Sequence, residues 1–176
     1  MEISEINPDK QTALTRQHMF HLLKVYDLSP FLFTKKINVQ SNVAPRSHPV
    51  LTLNTTHAGS PNLILALWLH EEFHWWANSN ATKIRSAIKE LKRVYPTVPV
   101  DARMKSAKYT YLHLIVCYLE YKTLIMYLGE EDAKRVLKET VREDQHYPWV
   151  YNQVMYQNLA IKKIVEKNKL LPNGLI

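Results

Sequence analysis

Apolar residues recur at helical spacing through most of the chain and alternate in only two short stretches. Leu14, His18, Leu22 and Val25, with Phe20, Leu23 and Tyr26 widening the stripe, predict a first helix over 9–28, closed by Pro30. Residues 31–40 begin apolar and end in alternation, and Val50 to Thr56 alternates cleanly. Two half-buried strands are expected there, separated by the turn-rich stretch 41–49. Ser60 then reads as an N-cap with Pro61 at the first helical position, opening a helix to about Trp76. Ile84, Ala87, Ile88 and Leu91 share one face of a helix over 81–94, followed by a loop over 95–104 that contains Pro96 and Pro99. Lys105 to Leu128 is long and mostly apolar, and Gly129 stops it. Glu130, Glu131 and Asp132 open another helix to about Asp144, with their charge at its positive end. A last helix is expected from Pro148 to about Leu170. The pattern predicts a predominantly helical α+β fold, in which a small N-terminal sheet of two or three strands packs on a helical core. No repeat or linker interrupts residues 1–176, which read as a single domain.

Composition narrows this only a little. Apolar residues make up 46% and charged residues 22%, as in ordinary soluble domains. Three glycines argue against a loop-rich all-β fold. The one cysteine, Cys117, excludes an intrachain disulfide and suits a reducing compartment. The N-terminus shows neither a basic region nor an apolar run, so no secretory signal is visible and a cytoplasmic protein is expected. His113, Glu120 and Lys122 interrupt the longest apolar stretch, which makes a poor membrane span. Net charge is +7, yet the Lys and Arg are scattered, with local density over 83–93 and 162–169, and neither segment interleaves aromatics and glycine. A solvated basic surface is expected, with no specific nucleic-acid partner.

Chemistry enters with His70-Glu71-Glu72-Phe73-His74. On a helix, His70 and His74 lie one turn apart on one face, so both imidazoles can reach one metal ion. Two imidazoles and one further protein ligand suit zinc, which keeps an open position for water. Glu71 is close enough to that water to take its proton as general base. With eight histidines and eleven glutamates in 176 residues, an H-E-x-x-H match by chance is expected only about 0.02 times. The third ligand is sought on the 105–128 helix, where His113, Cys117 and Glu120 fall on one face at i, i+4 and i+7. A buried Glu is uncommon unless it is paired or bound to metal. Glu120 therefore ranks first, then His113, then Cys117.

The H-E-x-x-H stretch resembles the active-site helix of the zincin metallopeptidases, of the gluzincin kind. The resemblance implies a third zinc ligand from a Glu on a later helix, a peptide or protein substrate, and a sheet edge that pairs with extended substrate. It also implies a Tyr or His from a late segment at the oxyanion, for which His146, Tyr147 and Tyr151 are candidates by position. Ala77 and Asn80 stand where the longer metzincin pattern has glycine and histidine. Glu72 departs from the stricter zincin consensus, which has an uncharged residue there. The reading is a zinc-dependent hydrolase of a peptide or amide bond, with His70, His74 and Glu120 on the metal and Glu71 as base. Two alternatives stay open. Glu71-x-x-His74 and Glu143-x-x-His146 are the paired motifs of a di-metal carboxylate bundle. The stretch could also belong to a non-enzymatic interaction protein with a degenerate or structural metal site.

Overall fold

The computed structural model describes residues 1–100, 106–144 and 147–175. It is a predominantly helical α+β structure with a three-stranded sheet and seven α-helices among the described residues. Contacts cluster the chain into two compact units, Met1–Trp76 and Ala77–Ile176.

The first unit begins with a strand that the apolar pattern does not announce. Glu2–Ile6 forms β1, and α1 spans Lys10–Val25. A 3-10 turn at Ser29–Phe31 leads to β2, Lys36–Gln40, and β3 is Leu51–Leu53. The sheet order is β1-β2-β3 and both pairings are parallel. Parallel neighbours cannot be joined by a tight hairpin, and α1 supplies the crossover between β1 and β2. Ile3, Ile37 and Leu51 stand in register across the sheet, as do Val39 and Leu53, and all five are buried. The second strand is shorter than expected because its apolar lead, with Phe31 buried, turns as a 3-10 segment instead.

Asp9 caps α1, with its carboxylate accepting from the amides of Gln11 and Thr12 while Thr12 Oγ1 accepts from the Asp9 amide. The buried face of α1 differs from the expected one. Thr12, Thr15, Met19 and Leu22 point inward, whereas Val25 is 54% exposed and Phe20 39%. Threonine counts as polar in a pattern, but its methyl group can line a core when the hydroxyl is served locally. Thr12 Oγ1 meets this condition by donating to Glu5 or to the Asp9 carbonyl. On the outer edge of β3, the Thr52 amide and carbonyl both bond to Arg46. The edge that an extended substrate would need at that residue is already paired.

Helix α2 spans Pro61–Ser79. In the second unit follow α3 (Ala81–Val94), α4 (Ala107–Leu128), α5 (Glu130–Asp144), α6 (Pro148–Tyr156) and α7 (Leu159–Lys167). The expected start of α4 at Lys105 and much of the 95–104 loop fall in 101–105, outside the described residues. Helix α4 packs against α3, α5, α6 and α7 and is buried nearly all round, which is why its sequence shows a run of apolar residues and no stripe. Ile84, Ala87, Ile88 and Leu91 form the buried face of α3, as the spacing predicts. The expected single helix from Pro148 to Leu170 is two helices. At the break, Asn158 Nδ2 donates to the Val154 carbonyl at 2.8 Å, taking an acceptor the helical ladder would use. Among the described residues no helix is long and apolar enough to cross a membrane.

Candidate functional site

Helix α2 carries His70, Glu71 and His74 as the motif requires. His70 and His74 are half-buried and Glu71 is buried at 6% exposure. The two Nε2 atoms lie 3.3 Å apart, with the rings at 68° and their centroids 5.0 Å apart. At that distance one neutral ring can donate Nε2–H to the other. It is also the separation of two nitrogens on one tetrahedral ion with bonds of about 2.0–2.1 Å, roughly 3.3–3.4 Å. Glu71, about 100° round the helix from His70, sits beside this pair in sequence and off its line.

Glu72 has a structural job in the first unit. Its side chain is fully buried, and Oε2 accepts from the amides of Phe33 and Thr34 at 2.7 and 3.0 Å. Oε1 accepts from Trp68 Nε1 at 3.3 Å, one turn back on α2. The carboxylate thereby holds the lead into β2. Burial pushes its pKa up to about 7 although all three donors pull the other way. The charged residue that departs from the zincin consensus is about 200° round the helix from either histidine, so it lies off their face. A pattern read along the chain could not separate a charge in the site from a charge that anchors a loop.

Around the same helix end, Trp75 Nε1 donates to the Ser47 carbonyl at 2.7 Å and its ring stacks on His48 at 4.2 Å. Trp76 lies 5.0 Å from the Phe33 ring. These contacts fix the last turns of the motif helix to the loops flanking β2 and β3.

In the second unit, α4 buries the three expected donors on one face: His113 at 3%, Cys117 at 0% and Glu120 at 1% exposure. His113 Nδ1 lies 2.8 Å from the Tyr109 carbonyl. A carbonyl can only accept, so Nδ1 carries the hydrogen and a neutral ring presents its lone pair at Nε2. A backbone carbonyl on the far nitrogen is also how metal-bound histidines are oriented. The ring stacks on Tyr147 with centroids 3.9 Å apart. Glu120 accepts from the Tyr151 hydroxyl, 3.1 Å from Oε2 and 3.4 Å from Oε1. Burial, then Cys117 and Glu120 beside it, hold the Tyr151 phenol well above its usual range. The phenol therefore stays neutral and orients the carboxylate by donating to it.

The sequence named Tyr147 and Tyr151 as oxyanion candidates, but their contacts in this unit are to His113 and Glu120. Nothing in the spacing of Glu120 and Tyr151 announces that pairing, because it depends on the packing of α6 against α4. His146, the third candidate, lies outside the described residues, and with it half of the alternative Glu143-x-x-His146 pair. Glu143 is exposed near the end of α5 and pairs with Arg142 at 3.6 Å. No family model, curated protein or solved structure matches this chain.

Proposed function

We propose that the protein is a zinc-dependent hydrolase of peptide or amide bonds, related in its active-site helix to the gluzincins. The observation that carries the reading is the 3.3 Å approach of His70 Nε2 and His74 Nε2 on α2. Glu120 is the proposed third ligand. It is a buried carboxylate already oriented by Tyr151, as a metal ligand is oriented by a neighbour outside the ion's reach. His113 and Cys117 are the alternative donors from the same face of α4, and all these residue types are able to hold a metal ion.

Zinc held there would supply a Lewis acid for a carbonyl oxygen and would lower the pKa of an attacking water. Glu71 is the proposed base that takes that water's proton and later returns it to the leaving amine. The Tyr151 hydroxyl holds Glu120 in one orientation by donating to it.

Metal analysis of protein purified without added metal tests the reading, and about one zinc per chain is expected. Glu71→Gln keeps the side chain's shape but removes the proton acceptor. That variant should keep its zinc while hydrolysis of a casein or peptide-library substrate falls by roughly 10²–10⁴-fold. Metal lost with Glu71→Gln would make Glu71 a ligand and favour the carboxylate bundle. Two irons per chain would do the same. A chain that takes up no metal at all would overturn both enzyme readings in favour of an interaction protein.

A further inference from the structure

The excess charge of this protein is not spread over it. Residues 1–76 hold six Lys or Arg and six Asp or Glu, so they contribute nothing to the net +7. The surplus belongs to residues 77–176, and within them to two helices. From Ala81 to Val94 and from Leu159 to Lys169 there are nine basic residues against Glu90 and Glu166, which accounts for all seven charges.

These segments are 65 residues apart in sequence (159 − 94) and adjacent in space. Helices α3 and α7 pack together, with the Lys83 ammonium on the Lys169 carbonyl at 3.2 Å. Glu90 ties them by accepting from Lys167 at 2.7 Å and from Asn168 at 3.0 Å. Beyond this tie the cations are exposed. Arg85, Lys89, Lys92 and Arg93 follow the i, i+4, i+7, i+8 rhythm on the side of α3 away from its buried face. Lys162 and Lys163 are exposed on α7, and only Lys162 has an acidic neighbour, Glu166 at 3.9 Å.

We infer that the paired α3 and α7 helices bind the phosphate backbone of a nucleic-acid duplex, independently of any metal. The chemistry of the face selects this occupant. Neither helix contains an aromatic residue, so there is no platform on which single-stranded bases could stack. The exposed apolar side chains are Val94 and Leu159, one at an end of each helix, and they make no stripe to enter a lipid surface. Nor do they provide the central apolar anchor of a protein interface. What remains is an array of exposed cations, and phosphate contacts need nothing else. About five such cations predict a plot of log affinity against log salt with a slope near −4.5, at about −0.9 per phosphate neutralised.

The test uses the full chain and a fluorescent 20-base-pair DNA duplex of arbitrary sequence, with binding read by anisotropy from 50 to 200 mM salt. Salt-dependent binding, weakened roughly 10²–10³-fold across that range, is expected. The triple variant Arg85→Gln, Lys89→Gln, Arg93→Gln alters exposed positions only. It should bind at least tenfold more weakly at 50 mM salt, with a slope shallower by about 2.7. A matched loss of charge at Lys24, Lys35 and Lys36 in the first unit should leave binding unchanged. The proposal is overturned by an absence of duplex binding at 50 mM salt, or by equal losses in the two triple variants. Tighter binding to phosphatidylserine vesicles or to poly-glutamate would also overturn it, in favour of a membrane or an acidic protein.

Discussion

Glu72 shows how much one residue's meaning depends on direction. It shares a motif with His70 and His74, yet its carboxylate turns to the Phe33 and Thr34 amides and the Trp68 indole. Its folded pKa of about 7 lies above the ordinary 4.5. A carboxyl shifted upward binds its proton more tightly when folded, so its contribution to stability is complete below pH 4.5 and lost as pH rises through 7. The shift corresponds to roughly 3 kcal/mol. Urea melts between pH 4.5 and 7.5 should show stability falling with pH, and Glu72→Gln should remove most of that slope. A variant with the parental slope would place the titration elsewhere. His113 teaches the converse: its bond to the Tyr109 carbonyl fixes which nitrogen is basic, a detail no residue name contains.

At the scale of elements, the helices follow local rules closely where their ends are chemically marked. Asp9 caps α1, Ser106 caps α4 by accepting from the Lys108 amide, and Gly129 separates α4 from α5. Gly129 has φ 81° and ψ 163°, a conformation reserved almost entirely for glycine. A Cβ there would touch nothing within 4 Å, so the cost of Gly129→Ala is backbone strain alone. The variant should be destabilised by about 1–3 kcal/mol in chemical denaturation. Gly59→Ala, also free of any clash and without the positive φ, is the control and should cost much less. Equal losses would show that strain at the α4–α5 junction is not what glycine relieves. The break between α6 and α7 is weaker in sequence: Gln157 leaves the helical backbone at φ −135° and ψ 32°, and Asn158 takes the Val154 carbonyl with its side chain, with no glycine or proline to mark it.

Over the whole molecule, metal and charge give separate readouts. If the histidine pair is a metal site, the folded chain binds the ion far better than the unfolded one, and stability is linked to free metal. At a zinc concentration a hundred times the dissociation constant, this linkage is worth about 2.7 kcal/mol. For a chain of this size, a chelator should then lower the melting temperature by roughly 5–10 °C, and zinc should restore it. A melting curve indifferent to both treatments would count against the proposed centre. The α3–α7 cations should affect that curve little, since they are exposed and their surface pairings are worth little.

What the sequence determined by itself was local. It located the helices except for the break between α6 and α7, together with the inward face of α3, the buried donors of α4 and the H-E-x-x-H pair, since each follows from spacing along one element. The strand at Glu2–Ile6 escaped it, because five residues carry too little pattern without the neighbour that pairs with them. It also misjudged which side of α1 faces inward, since Thr12 and Thr15 count as polar in a pattern yet both are buried with Met19 and Leu22. Tertiary structure alone decided that the strands run parallel, that Glu72 anchors a loop and that Tyr151 meets Glu120. It likewise brought together the two basic stretches, 83–93 and 162–169, that the sequence shows apart. The physical reason is common to all of these. Periodicity reports which side of an element is apolar, whereas a hydrogen bond or a charged face between distant segments exists only after the chain has returned to itself.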